Sequence, residues 1–321
     1  MQECNFPVAF VVIDDASKDG EPELLRSWAE ARLSARSGSS LWQEIPYGSV
    51  AEGTLTEHSN LTFAIILLNE NHYSKRKSKM AYMSKWCEDS KYTAICEGDD
   101  YWTDPHKLQK QVDFMEAHND YSLCFTDVKN YNQTDGKYVG SHVGKYDNNK
   151  LPADKKDLFF YILMGKCRIQ TLTALYRNEH KALIPKNSQT FMMGDTPLWL
   201  DLSQVGKLGY ISDVTGVYRI TPGSACRNPK TLLRFRLSMQ EMRVYYCQKY
   251  NYEIPEEIKR RYNIALVDSV INSDFKDSMA SCPLFPMNKI QLFFYKKAPN
   301  NRFAKQIIHF MWRVEYRIHR S

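Results

Sequence analysis

The stretch Tyr92-Thr-Ala-Ile-Cys-Glu-Gly-Asp-Asp-Tyr-Trp-Thr-Asp-Pro-His-Lys107 decides how the chain is read. Thr93–Cys96 is a short apolar, partly β-branched run, which predicts a buried strand. The run stops at Glu97-Gly98-Asp99-Asp100, where acids crowded together repel one another unless a cation or hydrogen-bond donors compensate them. Gly98 permits a sharp turn or the close approach of a ligand. Asp104-Pro105 predicts a turn and a helix start, with Leu108, Val112 and Met115 along one helical face. An isolated Asp-Asp pair is most often a solvated turn with a helix cap. The adjoining strand and the aromatics Tyr101 and Trp102 favour a ligand site instead. Carboxylates at a strand's C-terminal end lie where an open α/β sheet places its ligand. Mg²⁺-like cations take one or two carboxylates and complete their shell with substrate phosphates.

Upstream, Phe6-Pro-Val-Ala-Phe-Val-Val-Ile13 is a nearly continuous apolar run, as expected of a strand covered on both faces. It too ends in carboxylates, Asp14-Asp15, followed by Ser17 as a potential cap and Gly20 as a turn. Leu24–Arg36 reads as a helix. Ser37–Asn60 is polar and turn-rich and reads as a loop or insertion. Leu61–Leu68 reads as a strand. Downstream, Tyr121–Asp127 is a strand candidate and Lys129–Asp157 a polar loop. Phe159–Met164 is expected to be a buried helical segment. Arg168–Arg177 alternates as a strand, with Gln170, Thr171 and Thr173 as polar candidates on its face. Gly194-Asp195 with Pro197 predicts a helix start capped by Asp195. Gly209–Arg219 reads as a strand, and Leu232–Tyr250 and Pro255–Asn272 as helices.

Two acidic motifs carry a resemblance. Glu97-Gly98-Asp99-Asp100-Tyr101-Trp102, with Asp104-Pro105, Lys107-Leu108 and Gln111, resembles the metal-binding motif of family 2 glycosyltransferases with the GT-A fold. Val12-Ile-Asp-Asp-Ala-Ser-Lys-Asp-Gly20 resembles the second-strand motif of the same family. The likeness spans roughly residues 5–225 and is nearest to bacterial members that build surface polysaccharides. It implies an α/β fold, a Rossmann-like mixed sheet flanked by helices. Residues 1–228 would form the catalytic domain, and 229–321 a helical extension with a basic tail.

The resemblance implies an inverting transfer from a nucleotide-diphosphate sugar to a hydroxyl on a glycan or lipid-linked acceptor. Asp15, beside Asp14, would receive the nucleotide base. Asp99 and Asp100 would hold ribose and Mn²⁺ or Mg²⁺. A basic residue among Lys75, Arg76 and Lys77, at the start of a helix, would approach the diphosphate, where a helix N-terminus also favours phosphate. Asp195 would be the general base that deprotonates the acceptor. Thr221 stands where many members carry a histidine, so no metal-ligand role passes to it. Members of the family also open with an earlier central strand ending in a Pro-x-Tyr-Asn-like turn. Here Met1 stands only a few residues before the likeness to the second strand. The expectation is therefore a missing first strand and unpaired edges on its two neighbours. A truncated, inactive sugar-binding remnant is the alternative reading.

Composition bounds these readings. The 321 residues carry a net charge of +6 and 43% apolar content, enough for a sizeable core. Residues 289–321 account for +7, leaving a nearly neutral body that gives no electrostatic case for nucleic acid. The eight cysteines show no C-x-x-C pair, as in a reducing cytosol. No signal peptide and no spanning run is recognised, so a cytoplasmic location is expected. Apolar positions at helical spacing among the basic residues of 302–320 suggest peripheral contact with an anionic membrane, or packing on the body of the protein.

Overall fold

A computed structural model describes residues 1–75, 77–141, 146, 148–222, 224, 227–272 and 283–297. The strands are β1 Val8–Asp14, β2 Leu33–Ala35, β3 Trp42–Ile45, β4 Gly48–Leu55, β5 His58–Leu68, β6 Tyr92–Ala94, β7 Tyr101–Trp102, β8 Tyr121–Asn132, β9 Lys137–Ser141, β10 Ala174–Arg177 and β11 Lys207–Ile220. The helices are α1 Glu21–Arg32, α2 Met80–Cys87, α3 Lys107–Ala117, α4 Lys155–Leu163, α5 Asn178–Ala182, α6 Asp195–Val205, α7 Pro229–Lys249, α8 Glu256–Asn272 and α9 Lys289–Lys297. The α/β architecture is as expected, with mixed sheets flanked by helices.

The strands fall into two sheets. The first has the order β1-β5-β4-β2, with β3 also on β4; the second has the order β6-β10-β8-β11-β7, with β9 on β8. In the first sheet β1 runs parallel to β5, and β4 returns antiparallel. Ser37–Asn60, read as a loop or insertion, instead supplies β3, β4 and the start of β5. Its polar letters concealed a hairpin. Gly48 sits at a φ of 153°, and a side chain there would collide with the Leu67 carbonyl. The glycine thus lets β4 close against the end of β5, where Ala64–Leu68 is buried throughout, as a doubly covered strand should be.

Among the described residues β1 pairs only with β5, and β6 only with β10. Each therefore has one ladder edge with no strand partner among the described residues. Val8 and Phe10 of β1 and Tyr92 and Ala94 of β6 nevertheless pack on the same buried cluster of Leu108, Met115, Cys124 and Leu175. Ahead of β1 the chain runs across the start of α3. The Glu3 amide donates to the Pro105 carbonyl at 2.7 Å, and Gln2 accepts from the Leu108 amide at 3.0 Å.

Several boundaries moved for local reasons. Arg168–Arg177 is not one strand: Thr171–Thr173 forms a single 3₁₀ turn before β10. The turn presents the Leu172 carbonyl to the Trp102 indole N–H at 2.8 Å. The expected polar loop from Lys129 is occupied by the end of β8 and by β9. Asp195 is the first residue of α6, with Gly194 in the cap position.

Helices α7 and α8 pack on the α/β body. Leu237, Met242, Tyr246 and Ile258 share one apolar cluster with Leu123, Phe125, Phe159 and Trp199. Buried Asp201 of α6 fastens α7 to it. It accepts from Tyr246 at 3.0 Å, Tyr250 at 2.6 Å and Lys249 at 2.6 Å, which satisfies a charge that would otherwise be expensive to bury. No helix among the described residues is long and apolar enough to cross a membrane. The basic tail at 302–320 lies outside the described residues.

Candidate active site

Glu97-Gly98-Asp99-Asp100 forms the link between β6 and β7. β7 is pinned to β11, with Trp102 opposite Gly216 and Tyr101 opposite Val217. A side chain at Gly216 would lie 2.8 Å from Leu172 and 3.0 Å from the Tyr101 carbonyl, so only glycine lets β7 lie this close. Beneath the link, the family-like Lys107 and Gln111 form a buried pair at 2.5 Å, with Lys107 also over the Trp102 ring at 4.5 Å. Gln111 donates in turn to the Thr173 carbonyl at 2.9 Å. Burial lowers the Lys107 ammonium to about 8. These motif residues therefore support the acidic link from below.

Arg219, at the end of β11, holds the link from the side. Its amide donates to Asp100 Oδ1 at 2.7 Å, and its guanidinium donates to the carbonyls of Asp99 and, at 3.2 Å, Gly98. The second carboxylate oxygen of Asp100 makes no hydrogen bond among the described residues. Burial, then the charges of Asp99 and Glu97, push the Asp100 carboxyl up to about 7 against the pull of the Arg219 amide and charge. Glu97 is also raised, first by desolvation and further by the charges of Asp195 and Asp99, although Thr171 offers it a hydrogen bond. Water reaches Glu97, yet protein atoms crowd it.

Glu97, Asp100 and Asp195 line one cavity of about 690 Å³. Asp195 comes from the start of α6, where its Oδ1 accepts from the Thr196 amide at 2.7 Å. That bond orients the carboxylate and leaves Oδ2 with no hydrogen bond among the described residues. Of the polar residues before β10, Gln170 and Thr171 line the cavity and Thr173 does not. From α7 the lining takes Leu232, Phe235, Met239 and Met242, with the arginines Arg236 and Arg243.

Asp14 and Asp15 do not line this cavity. Asp14 is buried at the end of β1 and accepts from the Ser17 amide at 3.2 Å. After Asp15 the chain turns through Ala16 at a φ of 60°, a left-handed conformation that L residues seldom adopt. Both Asp15 oxygens are taken, by the His72 amide at 2.7 Å, the Tyr73 amide at 3.0 Å and Lys79 Nζ at 3.1 Å. Burial would raise this carboxyl, but the two amides and Lys79 outweigh it and hold it below the usual range.

Of the basic cluster, Lys75 and Lys77 are ion-paired with Glu70, and Arg76 lies outside the described residues. The helix start they were expected to mark is at Met80, with Lys79 before it. Glu97 stood in the quoted motif without a role of its own, and sequence reasoning gave no role to Lys79, Arg219 or the α7 arginines.

The donor set fits a divalent cation in its chemistry. Asp100 is raised by burial and then by the adjacent acids, and no lysine pairs with it among the described residues. Among the described residues no group of three or more metal-ligating side chains converges. A cation here would take Asp100 and Asp99 and draw its other oxygens from substrate phosphates and water.

No protein-family model matches the chain. Uncharacterized proteins of Mycobacterium bovis and Mycobacterium tuberculosis are 27% identical over 220 residues, covering 68% of this chain and 51% of theirs. The chain thus spans about half the length of the curated relatives it matches. Its structure is similar to that of TarS from S. aureus in complex with UDP-GlcNAc, at TM-score 0.45 and 12% identity, over 83% of this chain and 74% of that one. It is also similar to a mannosyltransferase from Pyrobaculum calidifontis in complex with GDP-Man and Mn²⁺, at TM-score 0.41 and 13% identity, over 82% of this chain and 66% of that one.

Proposed function

We propose that the chain is a metal-dependent, inverting glycosyltransferase of the GT-A type, moving a sugar from a nucleotide-diphosphate sugar to a hydroxyl acceptor. The observation that carries this reading is the meeting of Asp100 and Glu97, from the β6–β7 link, with Asp195, from a helix almost a hundred residues later, in one cavity. The sequence resemblance gives Asp100 and Asp195 their roles and assigns none to Glu97, and surface-polysaccharide assembly is the setting it suggests.

Asp195 Oδ2 takes the proton of the acceptor hydroxyl. The freed oxygen bonds to the anomeric carbon from the face opposite the leaving group. The bond from that carbon to the diphosphate oxygen breaks, and its electron pair leaves with the diphosphate. Asp100 and Asp99 would hold Mn²⁺ or Mg²⁺, which would supply charge neutralisation for the leaving diphosphate. Arg219 fixes the carbonyls of Gly98 and Asp99, so that Asp100 presents its unengaged oxygen. The Thr196 amide holds Asp195 for proton transfer.

A donor screen that reads nucleotide release with and without Mn²⁺ tests the proposal. Metal-dependent release from at least one sugar nucleotide is expected, falling about a thousandfold or more in Asp195→Asn. Equal release by that variant removes the base assignment. No release from any donor favours a second reading, a sugar-binding protein without turnover. That reading draws its support from Asp15, whose oxygens are occupied and which does not line the cavity.

A further inference from the structure

The short helix α9 has two faces of different character. Asn288 and Gln291 open it with a reciprocal cap. The Asn288 side chain accepts from the Gln291 amide at 2.8 Å, and Gln291 Oε1 accepts from the Asn288 amide at 3.2 Å. A helix of 9 residues does not hold in water by itself, so packing must supply the rest. Phe294, only 2% exposed, packs on Val267 of α8, with Ile264, Val270 and Tyr295 around it. The Pro286 carbonyl accepts from Asn263 of α8 at 2.9 Å, and Phe285 meets Tyr262 of α8 edge-on at 5.4 Å. These contacts fix α9 on α8 and decide which of its faces is turned outward.

A face that met only water would be polar. At the helical repeat, Leu292, Lys296, Lys289, Phe293 and Ile290 instead follow one another round the outer arc of α9. Ile290 is 49% exposed, Phe293 51% and Leu292 36%, and Leu284, ahead of the helix, is 60% exposed. Single exposed apolar residues are ordinary, but a cluster of large ones on so short a helix marks an interaction surface. Lys289 and Lys296 are exposed among them, and α9 contains no acid.

Charge decides what fits this face. A second copy would set lysines against lysines. Residues 298–321, next along the chain, hold five Lys/Arg against the single acid Glu315, so they too would meet like charge. A protein pocket closing over Phe293 would strip water from both lysines and would need an acid placed for each. An anionic membrane needs no such fit. Apolar side chains enter the acyl boundary, while the lysine stems run beside them and the ammonium groups stay among the headgroups. The +7 carried by residues 289–321, against a nearly neutral body, draws this end of the molecule toward such a surface.

We propose that α9 is a membrane-docking helix. It lies on an anionic lipid surface with Ile290, Leu292 and Phe293 in the acyl boundary and Lys289 and Lys296 among the headgroups. Its 9 residues rise about 14 Å, far short of the hydrocarbon core, so α9 lies on the bilayer and does not span it. The docking surface does not depend on the glycosyl-transfer reading.

The test is flotation of the full chain with vesicles of phosphatidylcholine alone and of phosphatidylcholine mixed with phosphatidylglycerol. Binding to the anionic vesicles is expected to be about tenfold tighter or more, and to weaken as salt is raised. The double variant Ile290→Ser with Phe293→Ser should lower it about tenfold or more at an unchanged melting temperature, because both side chains are exposed. Phe293→Trp should hold it within about twofold, since Trp sits well at a membrane interface. Lys289→Glu with Lys296→Glu should lower it about tenfold or more, and this pair decides the matter if the serine variant melts low.

No binding to the anionic vesicles would overturn the proposal and leave an acidic protein as the partner of this face. Equal binding to the two kinds of vesicle would overturn it as well. Full binding by both the serine and the glutamate variants would assign the membrane contact to 302–320 and remove α9 from it.

Discussion

Two acidic links sit at the C-terminal ends of strands in this molecule, and they are built in opposite ways. At the end of β1, Asp15 is surrounded by donors. The His72 and Tyr73 amides and Lys79 occupy both oxygens and lower its carboxyl. Between β6 and β7, Asp100 receives one amide, and burial together with the neighbouring acids pushes it up to about 7 against the Arg219 charge. The two sequences, Asp14-Asp15 and Asp99-Asp100, look alike. A satisfied carboxylate ties loops together. A carboxylate left short of donors is costly to the free protein, and a cation relieves that cost.

The comparison can be broken most severely at Asp100. Asp100→Ala is expected to abolish metal-dependent nucleotide release, a loss of about a thousandfold or more, equivalent to at least about 4 kcal/mol of transition-state stabilisation. Activity retained within tenfold in a donor assay would show that the bare acid is not the cation ligand.

The pH dependence of the metal-free protein follows from the same contrast. Asp100 is protonated in the folded state up to about 7, whereas its unfolded value is near 3.8. The folded state therefore binds the extra proton, and stability falls as pH rises from about 4 to about 7. The fall is about 2–4 kcal/mol. Denaturant unfolding at pH 5 and pH 8 should resolve it, and Asp100→Asn should flatten the profile. Mn²⁺ competes for the same oxygen, so its affinity should weaken about tenfold for each pH unit below about 7.

Asp15 should behave in the reverse sense. Asp15→Ala removes a clamp and leaves the His72 and Tyr73 amides without their partner, a loss of about 1–3 kcal/mol in unfolding free energy. Its lowered carboxyl contributes stability that is present above the ordinary carboxylate range and is lost as pH falls through its folded value. Unchanged stability in this variant would mean that the clamp is dispensable and Asp15 is free for a ligand. Lys79→Met should have the smallest effect, about 0.5–1 kcal/mol in a thermal melt, because Lys79 is partly exposed and water screens its pair with Asp15.

The legibility of the chain divided along similar lines. Continuous apolar runs such as Val8–Asp14 and the second half of His58–Leu68 could be read as strands. Ala64–Leu68 is buried as a doubly covered strand should be, whereas the apolar residues of Val8–Asp14 stay partly exposed, because β1 pairs on one edge only among the described residues. The Ser37–Asn60 hairpin could not be read. Its stability comes from pairing across β4 and from glycines that permit close approach, and neither leaves an apolar signature. Lys107 and Gln111 were legible as part of a motif, but their work as a buried support was not.

The sequence alone determined that acids stand at strand ends, that one set adjoins Tyr101 and Trp102, and that Asp195 opens a helix. These follow from local periodicity, turn chemistry and motif spacing, which act between near neighbours in the chain. Only the tertiary structure decided which acids meet, which are neutralised and which are left bare. Those outcomes depend on donors brought from far along the chain, such as the amides of residues 72 and 73 for Asp15 and that of Arg219 for Asp100. The energy of a buried charge is set by what surrounds it in space, and that is fixed only when the chain folds.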